Sequence, residues 1–190
     1  MRSLALLAFC LVGCGYHVTG SGPGVPAGAH TISIKLFHNP TRERGLEVLL
    51  RQAIEEEFQR RGPLRIVPDG EGDLVLSGAI RRVINRPVAF SANDEAVAYQ
   101  SVIVVAVRMV ERESGRVVFD TRTLQESQDF GAVSGVVISS SPHFQQGLMD
   151  AQDIANLTDV QVSETRRRAA NQQLLQLLAQ DIYLDTMEGF

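Results

Sequence analysis

Two amphipathic segments constrain the fold of this chain more than any other feature of its sequence. The first predicts a helix over about 43–61, which Gly62-Pro63 ends, and the second predicts a helix over about 160–185. Their apolar positions recur at helical spacing: Leu46, Leu49, Leu50, Ala53, Ile54 and Phe58, then Ala170, Leu174, Leu177, Leu178 and Ile182. Each helix has one apolar face to bury, so both helices need a sheet to cover.

Segments of strand-like pattern supply that sheet. Residues 31–37 alternate between apolar and polar, and 102–110 are rich in β-branched residues, which indicates a central buried strand. Residues 73–85 and 117–130 are the other long strand candidates, and 64–67 are a short one. The pattern therefore predicts an α+β fold in which two amphipathic helices pack on one face of a mostly antiparallel or mixed four-stranded sheet.

Composition limits the class of protein. The chain has 190 residues, of which 44% are hydrophobic and 21% charged, and its formal net charge is −4. These values are typical of one globular domain and argue against wholesale disorder. A mildly acidic balance also argues against nucleic acid as a partner, because nucleic-acid binding requires a basic face.

The first fourteen residues have the pattern of a lipoprotein signal. Met1-Arg2 precede a short apolar run, too short to span a membrane, that ends in Leu11-Val12-Gly13-Cys14. This ending resembles the lipobox of bacterial lipoproteins, in which the cysteine is acylated and the chain is cut before it. The alternative is an ordinary secretory signal in which Cys14 has no role.

A domain organisation follows from the lipoprotein interpretation. Residues 1–13 are a signal peptide that is removed, and residues 14–29, rich in glycine, are a lipidated flexible tether. Residues 30–190 form a single α+β domain with a long loop or insertion at about 131–157. The second cysteine, Cys10, leaves with the signal peptide, so the mature chain is predicted to have no disulfide. Gly15 after the lipid site, by resemblance to enterobacterial sorting, favours the outer membrane.

No motif in the sequence indicates catalysis. The histidines lack zinc-ligand spacing, and no cysteine is available to complete a metal site. Gly131-Ala-Val-Ser-Gly135 has the wrong spacing for a nucleophile elbow, and there is no phosphate-binding glycine loop. We therefore expect neither enzymatic activity nor a metal or cofactor.

The arginines are the best candidates for binding. Arg81, Arg82 and Arg86 lie close together near the end of one predicted strand, and Arg108 lies in the next. If the helices cover one face of the sheet, the other is free to present guanidinium groups, which suit phosphate or carboxylate. The alternative is that these are scattered charges with local acidic partners. A further triplet, 166–168, opens the predicted last helix, where cations are disfavoured unless the triplet lies well inside the helix or meets an acidic partner.

Several motifs together resemble the lipopolysaccharide-assembly lipoprotein family, LptE. The lipobox is followed by an aromatic residue, a histidine and an aliphatic residue, which is the family's habitual opening. The matching segments run in family order along nearly the whole mature chain: Gly13-Cys-Gly-Tyr-His-Val18, Ile32-Ser-Ile-Lys-Leu-Phe37, Asn39-Pro-Thr-Arg42, Leu46-Glu-Val-Leu-Leu50, Asp73-Leu-Val-Leu-Ser-Gly78, Tyr99-Gln100 and Glu113-Ser-Gly-Arg-Val-Val-Phe119.

This resemblance implies a non-enzymatic role in the cell envelope. Family members are plugs inside the outer-membrane barrel LptD; they assist its assembly and are thought to bind lipopolysaccharide and help its insertion into the outer leaflet. Arg81, Arg82, Arg86 and Arg108 are then candidate contacts to lipopolysaccharide phosphates or to the barrel wall. Two other functions remain open, namely a lipid-anchored periplasmic adaptor of another envelope complex and, against the missing motifs, a lipoprotein hydrolase.

Overall fold

The computed structural model describes residues 25–92, 94, 96–131 and 151–188, with side chains of the last range described from 162 to 187. The predicted signal peptide, Cys14 and most of the tether therefore lie outside the described residues. The elements in chain order are β1 (Thr31–Ile34), α1 (Leu46–Arg61), β2 (Arg65–Ile66), β3 (Leu74–Phe90), β4 (Ala96–Glu111), β5 (Val117–Gly131) and α2 (Ala151–Glu188).

The sheet is mixed and has five strands among the described residues, in the order β2-β1-β3-β4-β5. β1 runs parallel to both β2 and β3, whereas β3, β4 and β5 are joined in antiparallel pairs. The α+β class and the two helices are confirmed, but the prediction of four strands is wrong by one. The fifth strand is β2, which lies within the short strand candidate 64–67 and pairs with β1 at the edge of the sheet.

The two helices share one core with the sheet. α1 and α2 contact each other, and their buried residues form a single cluster with one face of the strands. The helices contribute Leu50, Ile54, Phe58, Leu174, Leu178 and Ile182, and the strands contribute Ile32, Leu76, Ile80, Ile103, Val105 and Met109. The apolar face that the helical spacing predicted is thus the face that packs on the sheet.

Helix α1 begins at Leu46, three residues later than the spacing predicted, because the preceding loop has its own structure. Gly45 has a φ of 90°, a left-handed conformation that glycine adopts without strain. Asn39 Nδ2 donates hydrogen bonds to the Glu43 carbonyl at 2.8 Å and to Glu47 Oε2 at 2.6 Å. The Gly45 N–H donates to the same Glu47 oxygen at 3.0 Å. Glu47 therefore holds the loop closed from inside the first turn of the helix.

Helix α2 begins at Ala151, earlier than the apolar stripe predicted. Residues 151–157, which the sequence assigned to the long loop, are helical, and 132–150 lie outside the described residues. The arginine triplet 166–168 is therefore well inside the helix, which removes the conflict with the helix dipole. Arg167 forms ion pairs with Glu43 and Glu164, and Arg166 Nη1 donates to the Gly131 carbonyl at 3.1 Å.

The chain enters the sheet through a clasp between β1 and the start of β3. Asp73 Oδ2 accepts hydrogen bonds from the His30 and Thr31 N–H groups at 2.9 and 3.0 Å and from the Thr31 hydroxyl at 2.8 Å. These bonds, led by the one from His30, hold the pKa of Asp73 below its ordinary value. Just before the clasp, Val25 and Ala29 of the predicted tether are half-buried against the core.

A β-bulge in β3 changes which residues face the helices. Ile80 pairs with Val105 and Arg82 with Val104, so Arg81 is the extra residue. Before the bulge the even-numbered residues, such as Leu76 and Ile80, are buried in the core. After it the odd-numbered Val83 packs toward the core and even-numbered residues point away from the helices.

Candidate functional site

The candidate site is the face of β3, β4 and β5 that points away from both helices, which we call the open face. No described helix or strand covers it. Cross-strand register assigns to it Ser77, Ala79, Arg82, Ile84 and Arg86 of β3, Gln100, Val102, Val104, Ala106 and Arg108 of β4, and Asp120, Gln125, Ser127 and Asp129 of β5. Its floor is made of aliphatic side chains, its arginines lie on β3 and β4, and its carboxylates lie on β5.

The structure brings three of the four predicted arginines onto this face. Arg82 lies opposite Val104, and Arg86 lies opposite Gln100, which precedes Val104 by four residues in β4. Arg108 lies opposite Ser77 on one side and Asp120 on the other. All three are exposed, and they share the face because they are in register with alternate residues of β4. Arg81 is also exposed, but as the extra residue of the bulge it has no partner position on β4.

Arg86 is held by a hydrogen-bonded ladder across three strands. Its Nε and Nη2 atoms donate to Gln100 Oε1 at 3.2 and 2.7 Å. Gln100 Nε2 in turn donates to Asp129 Oδ1 on β5 at 3.0 Å. The guanidinium is thus oriented, and its charge is partly balanced by a carboxylate through the intervening amide.

Arg82 and Arg108 differ from Arg86 in having no such partner. Among the residues that the structure describes, neither guanidinium forms a hydrogen bond or an ion pair. Val104, directly opposite Arg82, is only 4% exposed although no described element covers the open face. Its cross-strand neighbours are Arg82 on β3 and Gln125 on β5, and both of these residues are exposed.

The arginines of the two helices differ from Arg82 and Arg108 in their hydrogen bonds and ion pairs. Every arginine of α1 and of the described part of α2 has a partner: Arg51 with Glu55, Arg60 and Arg61 with Glu57, Arg166 with the Gly131 carbonyl, Arg167 with Glu43 and Glu164, and Arg168 with Glu164. A shallow groove of about 250 Å³ between the helices is lined by Leu49, Gln52, Ala53, Glu56, Gln172, Leu175 and Gln176. The arginines of the two helices therefore have partners, whereas Arg82 and Arg108 on the open face have none among the described residues.

Sequence reasoning missed the residues that organise this face. Asp129 is not part of any sequence motif, and Gln100 is named only in the family motif Tyr99-Gln100, because the ladder they form depends on the register of three strands. The only available signal was a polar residue, Gln100, at the entrance to the apolar strand. Arg122, on the next strand, lies at a second bulge between Thr121 and Leu124 and is exposed.

Within the described ranges, no group of three or more His, Cys, Asp or Glu side chains could hold a metal ion. No helix in that part of the chain combines the length and hydropathy needed to cross a membrane.

The fold is an α+β domain in which one face of the sheet is covered by no described helix or strand. A protein-family model described as LptE, lipopolysaccharide-assembly, matches residues 29–186. The chain therefore belongs to the LptE family and is a protein of lipopolysaccharide assembly. The family is non-catalytic and its lipoproteins are associated with the outer membrane, in agreement with the expectation that this chain is not an enzyme.

Solved structures with a similar course of the chain include other bacterial proteins. The PelC dodecamer of Paraburkholderia phytofirmans is 15% identical, with 88% of this chain and 94% of that chain covered and a TM-score of 0.45. A minor lipoprotein of Acinetobacter baumannii is 14% identical, with 83% and 90% covered and a TM-score of 0.45. Likeness at this level says nothing of what this chain binds. No curated protein matches the sequence.

Proposed function

We propose that this chain is an outer-membrane lipoprotein that acts as the accessory plug of the lipopolysaccharide translocon. In this role it binds within the barrel LptD, assists assembly of the barrel and helps to insert lipopolysaccharide into the outer leaflet. The observation that carries the proposal is the LptE family match over residues 29–186, which includes both helices almost completely and all five strands.

The proposed anchor is Cys14, acylated after removal of residues 1–13. Support comes from the Leu11-Val12-Gly13-Cys14 sequence at the end of a short apolar run. Between Cys14 and the His30–Asp73 contact at the start of the sheet there is enough chain to keep the domain beside the membrane. Labelled palmitate should be incorporated into the wild-type chain and not into Cys14→Ser. Incorporation into both would contradict the assignment.

The proposed contacts are Arg81, Arg82, Arg86 and Arg108, which would meet lipopolysaccharide phosphates or the wall of the barrel. Support comes from the exposure of all four side chains and from the shared face of the last three. Guanidinium groups bind both phosphates and protein carboxylates well, because their N–H donors match the geometry of both anions.

Purification of the tagged full chain from its own envelope tests the proposal. A large outer-membrane β-barrel should be recovered with it in comparable amount, and depletion of the chain should lower surface lipopolysaccharide. Recovery of no barrel, with surface lipopolysaccharide unchanged on depletion, would contradict the plug and would favour an adaptor of another envelope complex.

A further inference from the structure

We propose that residues 25–30 form a strap that ties the lipid anchor to one end of the sheet, with Asp73 as its latch. The strap is part of the folded domain, although the sequence assigns 25–29 to the tether. Its role depends on the proposed function, in which Cys14 is acylated. Within that function the strap keeps one end of the domain close to the membrane.

The strap packs on the hydrophobic core. The side chains of Val25 and Ala29 are half-buried and contact the core cluster, whereas Ala27 and Gly28 between them are exposed. The Ala29 N–H donates a hydrogen bond of 2.9 Å to the Pro26 carbonyl, which closes a turn over the two exposed residues. Burial of an apolar side chain on each side of the turn favours the docked position over a solvated linker.

Asp73 holds the strap at its C-terminal end. Its Oδ2 atom accepts hydrogen bonds from the His30 and Thr31 N–H groups at 2.9 and 3.0 Å, and from the Thr31 hydroxyl at 2.8 Å. The Asp73 N–H donates to Thr31 Oγ1 at 2.9 Å, so the contact is reciprocal. Hydrogen bonds to an ionised carboxylate are stronger than those between neutral groups, and docking should therefore depend on this side chain.

The latch lies at the end of the sheet where β3 begins and β4 ends. The Asp73 carbonyl accepts a hydrogen bond of 2.8 Å from the Arg112 N–H, in the turn after β4, and Leu74 pairs with Glu111. The turn between β3 and β4 lies at the other end, about 50 Å away along strands of 17 and 16 residues. The strap thus attaches the N-terminal chain at one extreme of a long sheet.

Docking of the strap shortens the reach of the anchor. Val25 lies eleven residues after Cys14, a span of at most about 40 Å, whereas Thr31 lies seventeen residues after it, at most about 60 Å. Release of the strap would therefore add about 20 Å to the reach. The docked strap restricts how far the latch end of the domain can move from the membrane.

Thiol labelling of the full chain in its own membrane tests whether the strap is docked. The chain has two cysteines, Cys10 and Cys14, so the acylated mature chain offers no thiol of its own. Ala29→Cys places a thiol at a half-buried position of the strap, and Ala27→Cys is the matched exposed control. We expect Ala29→Cys to react about threefold more slowly or less, because its labelling requires local opening. Equal rates at the two positions would overturn the proposal.

Removal of the latch should release the strap. Asp73→Ala should raise the labelling rate of Ala29→Cys toward that of Ala27→Cys. Asp69→Ala, at an exposed position of the loop before β3, should leave the rate unchanged. Val25→Ser removes packing without touching the latch, and it decides the question if Asp73→Ala does not fold. An unchanged rate in every folded variant would overturn the proposal, and melting temperatures close to wild type confirm that faster labelling is local.

Energy transfer to lipid tests what the strap does. A fluorescent donor is attached at Glu113→Cys, in the turn beside the latch, or at Ala92→Cys, at the opposite end of the sheet. The full acylated chain is placed in phospholipid vesicles that contain an acceptor-labelled lipid. We expect more transfer from position 113 than from position 92. Transfer from position 113 should fall by about half in Asp73→Ala, because the reach grows by about 20 Å. Unchanged transfer would overturn the proposal.

Failure of the strap and failure of the anchor are distinguishable by peptide mass spectrometry of the labelled chain. A thiol adduct on Cys14 itself shows that this residue is not acylated, which overturns the proposed anchor and the strap's role with it. If Cys14 carries no adduct and positions 27 and 29 label equally, the strap is wrong and the proposed function stands.

Discussion

The Ser101 hydroxyl on β4 donates a hydrogen bond of 2.7 Å to Asn171 Oδ1 on α2, and both residues are buried. This bond fixes the long helix on the sheet at one position along its length. An intact buried pair of this kind adds little to the free energy of unfolding. Removal of one partner is destabilising, because the other is then buried without a hydrogen bond and keeps its full desolvation cost.

Asn171→Leu should therefore destabilise the chain more than a surface change in the same helix. We expect the free energy of unfolding in denaturant to fall by about 1–3 kcal/mol, since the Ser101 hydroxyl loses its acceptor. The double variant with Ser101→Ala should recover much of that loss. Gln173→Leu, at an exposed position nearby, is the control and should have little effect. A double variant as unstable as both single changes combined would contradict the pairing.

Phe58 is expected to contribute strongly to the core. Its side chain is fully buried, and its ring meets Tyr183 edge-on at a centroid distance of 5.1 Å. Phe58→Ala should lower the free energy of unfolding by about 3–5 kcal/mol. Phe90→Ala removes the same atoms from a side chain that is 58% exposed, and it should change the free energy of unfolding little. Similar losses from the two variants, measured by denaturant unfolding, would refute the assigned core.

Gly78 should tolerate no side chain. A Cβ built there would lie 2.3 Å from the Ala106 carbonyl oxygen and 2.4 Å from the Phe37 ring. Gly78→Ala should therefore separate β3 from β4 or displace Phe37, at a cost of about 1–3 kcal/mol in unfolding free energy. Gly28→Ala is the control, because no atom lies within 4 Å of its Cβ position. A melting temperature for Gly78→Ala equal to that of the control would argue against this close approach.

The contact between β5 and α2 should weaken as pH rises. Burial, then a hydrogen bond with Asp181 and repulsion by its charge, raise the pKa of Glu126 above its ordinary 4.5. Burial and the charge of Asp181 also raise the pKa of Asp185. The pKa of each of these carboxyl groups is higher in the folded state than in the unfolded chain. Each group therefore favours folding fully at pH values below its pKa in the unfolded chain. That contribution is lost as pH rises through the raised values.

Glu126→Gln removes this dependence from one of the groups. The variant should melt at a higher temperature than the wild type at neutral pH, with the difference shrinking toward pH 4. Glu113→Gln, in the exposed turn between β4 and β5, is the control for a general change of charge. Parallel melting curves for wild type and Glu126→Gln across this pH range would show that the carboxylates do not interact.

The sequence was sufficient to predict the helices and the long strands, because burial imposes periods of 3.6 and 2 on the apolar residues. Phe58 and Ile182 illustrate this, since both were part of the predicted stripes and both are buried. Boundaries were less accurate where a loop has its own hydrogen bonds, as at Asn39 and Glu47, or where α2 extends beyond its apolar stripe at Ala151.

The candidate site was only partly accessible from sequence, because its geometry depends on pairing between strands. The arginines could be named as candidates from their position near the end of a predicted strand. Which face they occupy could not be derived, since simple alternation from Leu76 and Ile80 would turn Arg82 toward the helices. Likewise, the link from Arg86 through Gln100 to Asp129 joins residues far apart in the chain.

The extra residue at Arg81 makes the length of this strand, more than its composition, decide which side of the sheet carries charge. If a relative lacked one residue between Arg82 and the end of β3, the rest of the strand would turn its helix-facing side chains to the open face and its open-face side chains to the helices. The set of side chains would be almost unchanged. Insertions and deletions here are thus a route by which such proteins can change surfaces in one evolutionary step. Relatives should accordingly be compared by strand register, because residues at equal sequence positions can lie on opposite sides of the sheet.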